Sequence, residues 1–213
     1  LIDRPNVYIK VPATPAGIPA IEQLIGEGIN VNVTLIFSRE LYDQIIEAYM
    51  RGLETLISRG GNPRDVSSVA SFFVSRVDSN VDARLDAMGV TDVRGKAGIA
   101  NAKLAYQLFL ERFAGERWER LAARGARLQR PLWASTSTKD PAYSDTMYVD
   151  ELIGPNTVNT VPPHTLEAIL DHGRVEITLT KGIDEARAVL ARLEELGISI
   201  DAVTAELLEE GIA

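Results

Sequence analysis

The chain has 213 residues, 46% of them hydrophobic and 24% charged, with a formal net charge of −8 and no cysteine. A nucleic-acid role therefore has no electrostatic support, and a disulfide framework or a thiolate metal site is excluded. His164 and His172 show no metal-ligand spacing, no apolar run reaches the ~18 residues of a membrane span, and no secretion signal is recognisable, although the chain begins at Leu1 rather than Met; the expectation is one soluble, cytoplasmic domain with neither metal nor cofactor.

The first predicted element is Val7–Thr14 (VYIKVPAT). Val7, Ile9 and Val11 are β-branched and Tyr8 is aromatic, which suits a strand buried on both faces. Pro12 ends its ladder for want of an N–H. Lys10 inside this run has two readings. One is an edge lysine that snorkels to water. The other is a lysine whose apolar surroundings keep its amine neutral, so that it attacks a carbonyl and forms a Schiff base.

Ile18, Ile21, Leu24 and Ile25 follow at helical spacing and Gly28 stops that helix. A second strand spans 30–37, with Asn30, Asn32 and Thr34 on one face and Val31, Val33 and Leu35 on the other. In a parallel barrel this alternation puts small polar groups into the lumen. Ser38 is a plausible N-cap for a helix through Leu56, which Gly60–Pro63 breaks. A third strand spans 66–74, and Asp78 or Ser79 starts a short helix through Met88.

Residues 96–113 form the longest helical pattern, beginning in a stretch rich in small residues (Gly95–Gly98) that permits close packing of helix on strand. Arg112, Arg117, Arg120, Arg124, Arg127 and Arg130, interspersed with Glu111, Glu116 and Glu119, predict a solvated helical face with i,i+4 pairs; an anion-binding face is the alternative. A fourth strand spans 131–138, a short helix 148–152, and a fifth strand 157–161, stopped by Pro162-Pro163. Helices then begin at Leu166, at Gly182 (with Gly197 as C′ residue) and at Ile200. Five strands alternating with helices mean parallel β/α units. No glycine-rich nucleotide fingerprint follows any strand.

The polar residues at strand carboxyl ends are Lys10, Asn32, Thr34, Ser71, Arg76, Ser135 and Lys139. In a parallel β/α barrel these ends converge on the face where active sites lie. A lysine, hydroxyls and amides, and rim cations are what an imine-forming enzyme acting on a sugar phosphate needs: the amine forms the adduct, hydroxyls and amides relay protons, and cations take the phosphate. Each alone is weak, since a strand-end hydroxyl commonly bonds nearby backbone.

Four segments, Tyr8–Thr14, Gly28–Ser38, Ala70–Arg76 and Trp133–Thr136, give the sequence a close resemblance to the transaldolase family across essentially the whole chain. The form resembles the long bacterial variety, which also occurs fused to a glucose-6-phosphate isomerase. The resemblance implies a (β/α)8 TIM barrel that transfers a dihydroxyacetone unit from a ketose phosphate, such as sedoheptulose 7-phosphate or fructose 6-phosphate, to an aldose phosphate in the pentose phosphate pathway. It implies that Lys10 is the Schiff-base lysine, that Thr34 holds the catalytic water, that Asn32 and Ser71 contact substrate, and that Arg76 and Ser135 lie on the phosphate side. Where many members carry a second phosphate arginine this chain has Ser137, and Lys139 is the expected replacement.

By the same resemblance the five strands match barrel strands four to eight, residues 1–213 being one C-terminal barrel portion. By that resemblance the family's catalytic Asp and Glu, on the first and third strands, have no counterpart here, and the usual C-terminal helix is expected to be cut short. A five-strand arc has two open edges, so the expectation is either a fragment or a piece that assembles with missing strands. The competing readings are a fructose-6-phosphate aldolase-like activity and a non-catalytic module that binds sugar phosphates. A homodimer and the fusion are left open. Of the lysines, Lys96 and Lys103 are assigned to a helix exterior and Lys139 and Lys181 to loops. His164 is read as a surface or capping residue.

Overall fold

The computed structural model describes residues 4–213. Five strands, β1 (Ile9–Pro12), β2 (Val31–Ile36), β3 (Ser68–Phe73), β4 (Arg130–Ala134) and β5 (Val158–Asn159), form one parallel sheet in the order β1-β2-β3-β4-β5. Sequence order and spatial order coincide. Right-handed crossovers that always step the same way place every connecting helix on one face, and strand twist curls such a sheet into the arc of a barrel.

That outer face carries the main core. Val31, Val33 and Ile36 of β2, Ala70 and Phe72 of β3 and Trp133 of β4 pack against α1 (Gly17–Gly26), α2 (Arg39–Ser58) and α4 (Ala97–Arg112) through Ile21, Ile25, Ile45, Tyr49 and Phe109. Gly52 lets α2 approach α1: a Cβ there would stand 2.7 Å from the Glu22 carbonyl oxygen and from the Ile25 side chain. A second core joins α3 (Ser75–Met88), α4, α8 (Ile183–Glu195) and α9 (Ile200–Ile212) with Phe37 just beyond the carboxyl end of β2. The inner face of the sheet holds a small apolar cluster of Val69, Leu132 and Ala134, with Phe73 and Val158 against it.

Several expectations change. The first strand is an edge strand, not a buried one: Tyr8 is 37% and Ile9 44% exposed, and Lys10 and Pro12 are exposed too. Its apolar character meets β2 on one side alone. β2 does not alternate to its end. Val33 pairs with Ala70 but Ile36 with Phe72, so one extra residue is inserted, and Leu35 takes φ +60°. The bulge returns Ile36 to the helix-covered face and turns Leu35 toward the second core, beside Gly211 of α9.

α3 begins at Ser75, directly after β3, so Arg76 lies on its first turn. The longest helix is α2, of 20 residues, against 16 in α4. The arginines do not make a face of i,i+4 pairs. On and beside α5 (Glu116–Ala123), Arg117 bridges Glu47 at 2.8 Å and Glu54 at 2.7 Å, and Arg112 bridges Asp43 and Glu47, tying α2, α4 and α5 together along partly exposed faces; Arg120–Glu116 is the one i,i+4 pair there among the described residues.

Pro162 and Pro163 open a helix, α7 (Pro163–His172), with Pro163 in its first turn, where a missing N–H costs nothing. Lys103 is buried, not exterior, and its Nζ donates to Glu151 Oε2 at 2.8 Å, at the end of α6 (Met147–Glu151). Among the described residues no helix is long and apolar enough to cross a membrane.

Candidate active site

Parallel register decides which side chains share a face. Lys10 pairs with Asn32, Pro12 with Thr34, Asn32 with Val69 and Ser71 with Leu132. Lys10, Asn32, Thr34 and Ser71 therefore share the inner face of three adjacent strands, opposite the helix layer, as the alternation in the sequence requires. The structure brings these four together as expected.

Their environments differ. Ser71, 4% exposed, donates its hydroxyl to Asn32 Oδ1 at 2.7 Å. That bond occupies the amide oxygen and leaves the Asn32 amide nitrogen without a hydrogen-bond partner among the described residues, so Ser71 orients Asn32. Thr34 is 7% exposed, and among the described residues its hydroxyl has no hydrogen-bond partner; its carbonyl accepts from Ala13 N–H at 2.8 Å. Lys10 stands exposed on the edge strand.

Arg76 and Ser135 lie beyond the carboxyl ends of β3 and β4. The Arg76 guanidinium sits over the Phe73 ring, 5.1 Å from its centroid, and has no carboxylate partner among the described residues. Ser135 takes φ +57°, and its oxygen lies 2.8 Å from Ser75 Oγ. Lys139 is exposed in the loop that follows; its Nζ donates to Ser137 Oγ at 3.2 Å, which puts cation and serine at one place, but it does not reach Ser135 or Arg76 by any hydrogen bond.

A buried network behind Arg76 went unread in the sequence. Asp78 and Asp82, one turn apart on α3, accept the Gly98 N–H at 2.7 Å and the Gly95 N–H at 2.9 Å, so two carboxylates cap the start of α4 from a neighbouring helix. Tyr143 donates to Asp82 at 2.7 Å, and Arg94 binds Asp140 at 3.0 Å, which pins the β4–α6 loop that carries Lys139. Burial pushes the Asp78 carboxyl up to about 6, against the Gly98 hydrogen bond, which lowers it. Burial and then the Asp78 charge push the Tyr148 hydroxyl up as well. The signal was present: two acids at i,i+4 facing the small-residue stretch Gly95–Gly98. Gly98 does permit close packing on the strand end, since a Cβ there would stand 2.6 Å from the Val74 carbonyl oxygen.

Among the described residues no three His, Cys, Asp or Glu side chains form a metal-binding group. His164 is exposed at the start of α7, whereas His172 binds Asp145 at 2.8 Å and Asp171 at 3.0 Å.

A family model described as transaldolase/fructose-6-phosphate aldolase matches residues 1–213. A protein named transaldolase 1 from Streptomyces avermitilis is 57% identical over all of this chain, which covers 57% of that protein. A transaldolase of Parafrankia is 55% identical over 99% of this chain and 58% of its own length, and transaldolase 2 of Nostoc is 52% identical over 99% of this chain and 59% of its own. The chain thus spans less than two thirds of the length of the curated relatives it matches.

Proposed function

The chain belongs to the transaldolase/fructose-6-phosphate aldolase family, and from that premise we propose that it is the portion of a cytoplasmic transaldolase that carries the Schiff-base lysine, one domain part comprising strands four to eight of a (β/α)8 barrel. The observation that supports this most is the register: Lys10, Asn32, Thr34 and Ser71 on one inner face, with the uncompensated Arg76 beyond its carboxyl end.

In this reading the neutral Lys10 amine adds to the ketose carbonyl carbon and the carbinolamine loses water. The protonated imine then accepts the electron pair of the cleaved C3–C4 bond as the C4 hydroxyl loses its proton. The aldose phosphate departs, and the dihydroxyacetone unit stays on Lys10 as an enamine. Its carbon adds to the aldehyde of an acceptor aldose phosphate, and water, held by Thr34, releases the new ketose phosphate. Asn32, oriented by Ser71, binds the sugar hydroxyls; Arg76, Ser135 and Lys139 take the phosphate. Three further strands closing against the free edge of β1 bury Lys10 and bring the acid–base carboxylates that this chain lacks.

The test is a transfer assay on the full-length protein with fructose 6-phosphate as donor. Ketose phosphate formation that requires an added aldose phosphate supports a transaldolase. Release of free dihydroxyacetone without acceptor supports the aldolase reading instead, and cleavage of no ketose phosphate overturns both. One observation favours a third reading, a sugar-phosphate-binding module without turnover: Lys10 stands on an exposed strand.

A further inference from the structure

Beyond the two strand ends, the β3–β4 pairing continues for two residues. Val74 N–H donates to the Ala134 carbonyl at 3.0 Å and Ser75 N–H to the Ser135 carbonyl at 2.9 Å. Ser75 is the first residue of α3 and is 1% exposed, whereas Ser135 is half-buried. Ser135 is held at φ +57°, a conformation that L residues other than Gly, Asn and Asp rarely adopt. The two side-chain oxygens lie 2.8 Å apart.

Satisfaction of the buried hydroxyl favours one direction for this bond. A serine hydroxyl has one proton to donate, and a buried one must use it. Among the described residues Ser135 Oγ is the only partner of the Ser75 hydroxyl. Either oxygen can donate in this bond, but burial favours Ser75 as donor and Ser135 as acceptor, which frees the Ser135 proton for a further acceptor at the carboxyl ends of the strands. The ionised oxygens of a phosphate accept and do not donate, so a serine that meets them must present its proton. The reverse polarity would present a lone pair, and accepting one hydrogen bond strengthens the next donation in a chain of hydroxyls.

We propose that Ser75 is a positioning residue that holds the Ser135 hydroxyl proton-outward toward the phosphate of the substrate. The proposal rests on the functional reading above for the identity of the phosphate side, and its test separates the two. Inorganic phosphate is titrated by 31P NMR into the full-length protein and its Ser75→Ala, Ser135→Ala and doubly substituted forms. Loss of one neutral hydrogen bond predicts about fivefold to tenfold weaker phosphate binding for Ser75→Ala. No further loss is expected when Ser135→Ala is already present, and Ser75→Thr, which keeps the hydroxyl, restores affinity.

With fructose 6-phosphate, Ser75→Ala raises KM by the same factor and leaves kcat within about twofold, because the bond binds substrate and transition state alike. An equal loss from Ser75→Ala with and without Ser135→Ala makes Ser75 merely structural and overturns the proposal, as does an unchanged affinity or a parent protein that binds no phosphate. A parent that binds phosphate but transfers nothing sinks the functional reading, while the substitution cycle still decides the role of Ser75.

Discussion

On β3, flanked by strands on both sides, nearly every side chain is buried: Ser71 holds Asn32, Phe72 packs edge-on against Trp133 at 6.2 Å, and Ser68 donates to the Val31 carbonyl at 2.8 Å. On β1, two strands away, Ile9, Lys10 and Pro12 are exposed. Two short strands of partly apolar sequence make a finished element at one place and an unfinished one at the other. The difference is the number of neighbours. A strand's hydrogen-bonding edge and inner face are completed by adjacent strands, so burial belongs to the assembly and not to the segment. The end of the candidate site with Ser75, Ser135 and the Asp78–Asp82 network is locally well packed, whereas the Lys10 end lies on an open strand edge.

Substitutions can break or sharpen this contrast. The largest effect belongs to Lys10→Arg, which removes all covalent chemistry at the site; because Lys10 is exposed here, unfolding of this chain should change by no more than about 0.5 kcal/mol. A chemical denaturation curve beside an activity assay reads both. Next comes Phe72→Ala on β3, expected to cost about 3–5 kcal/mol of stability by opening a cavity in the main core. Ile9→Ala on β1 is expected to cost less than about 1 kcal/mol in the same chain, since 44% of the residue is already exposed. Equal costs would erase the distinction between the two strands.

The third effect is a pH dependence. The folded-state pKa of Asp78, about 6, lies above its ordinary value of 3.8, so the folded form binds the proton more tightly than the unfolded one. The stability this group contributes is complete below about pH 4 and is lost as pH rises through 6, to at most about 3 kcal/mol. Asp78→Asn should flatten that slope between pH 4 and 7, and thermal melts of both proteins across the range check it. Smaller again are the phosphate contacts. Arg76→Ala should raise KM for the phosphorylated donor about 10- to 100-fold, and Lys139→Ala, from an exposed loop, about threefold, with little change in kcat. No rise for Lys139→Ala would remove it from the phosphate side.

The strands, their helices and the shared inner face of Lys10, Asn32, Thr34 and Ser71 were legible in the sequence, because periods of 2 and 3.6 are local properties. What was not legible depends on tertiary contact. Nothing local marks Leu35 as the extra residue of a bulge, or places Ser135 at positive φ. Lys103 sits on a helix that looks exterior until α6 brings Glu151 to it, and Arg117 pairs across helices instead of along its own. Nothing local singles out Ser75; only its burial beside Ser135 does.

The measurement that bears most directly on this account is borohydride trapping. The full-length protein and the 213-residue chain are each incubated with fructose 6-phosphate, reduced, digested and analysed by mass spectrometry. The account predicts a dihydroxyacetone-sized adduct on Lys10 of the full-length protein, absent in Lys10→Arg, and little or none on the shorter chain, whose Lys10 lies open to water. An adduct on another lysine, or none on a folded full-length protein, would contradict it.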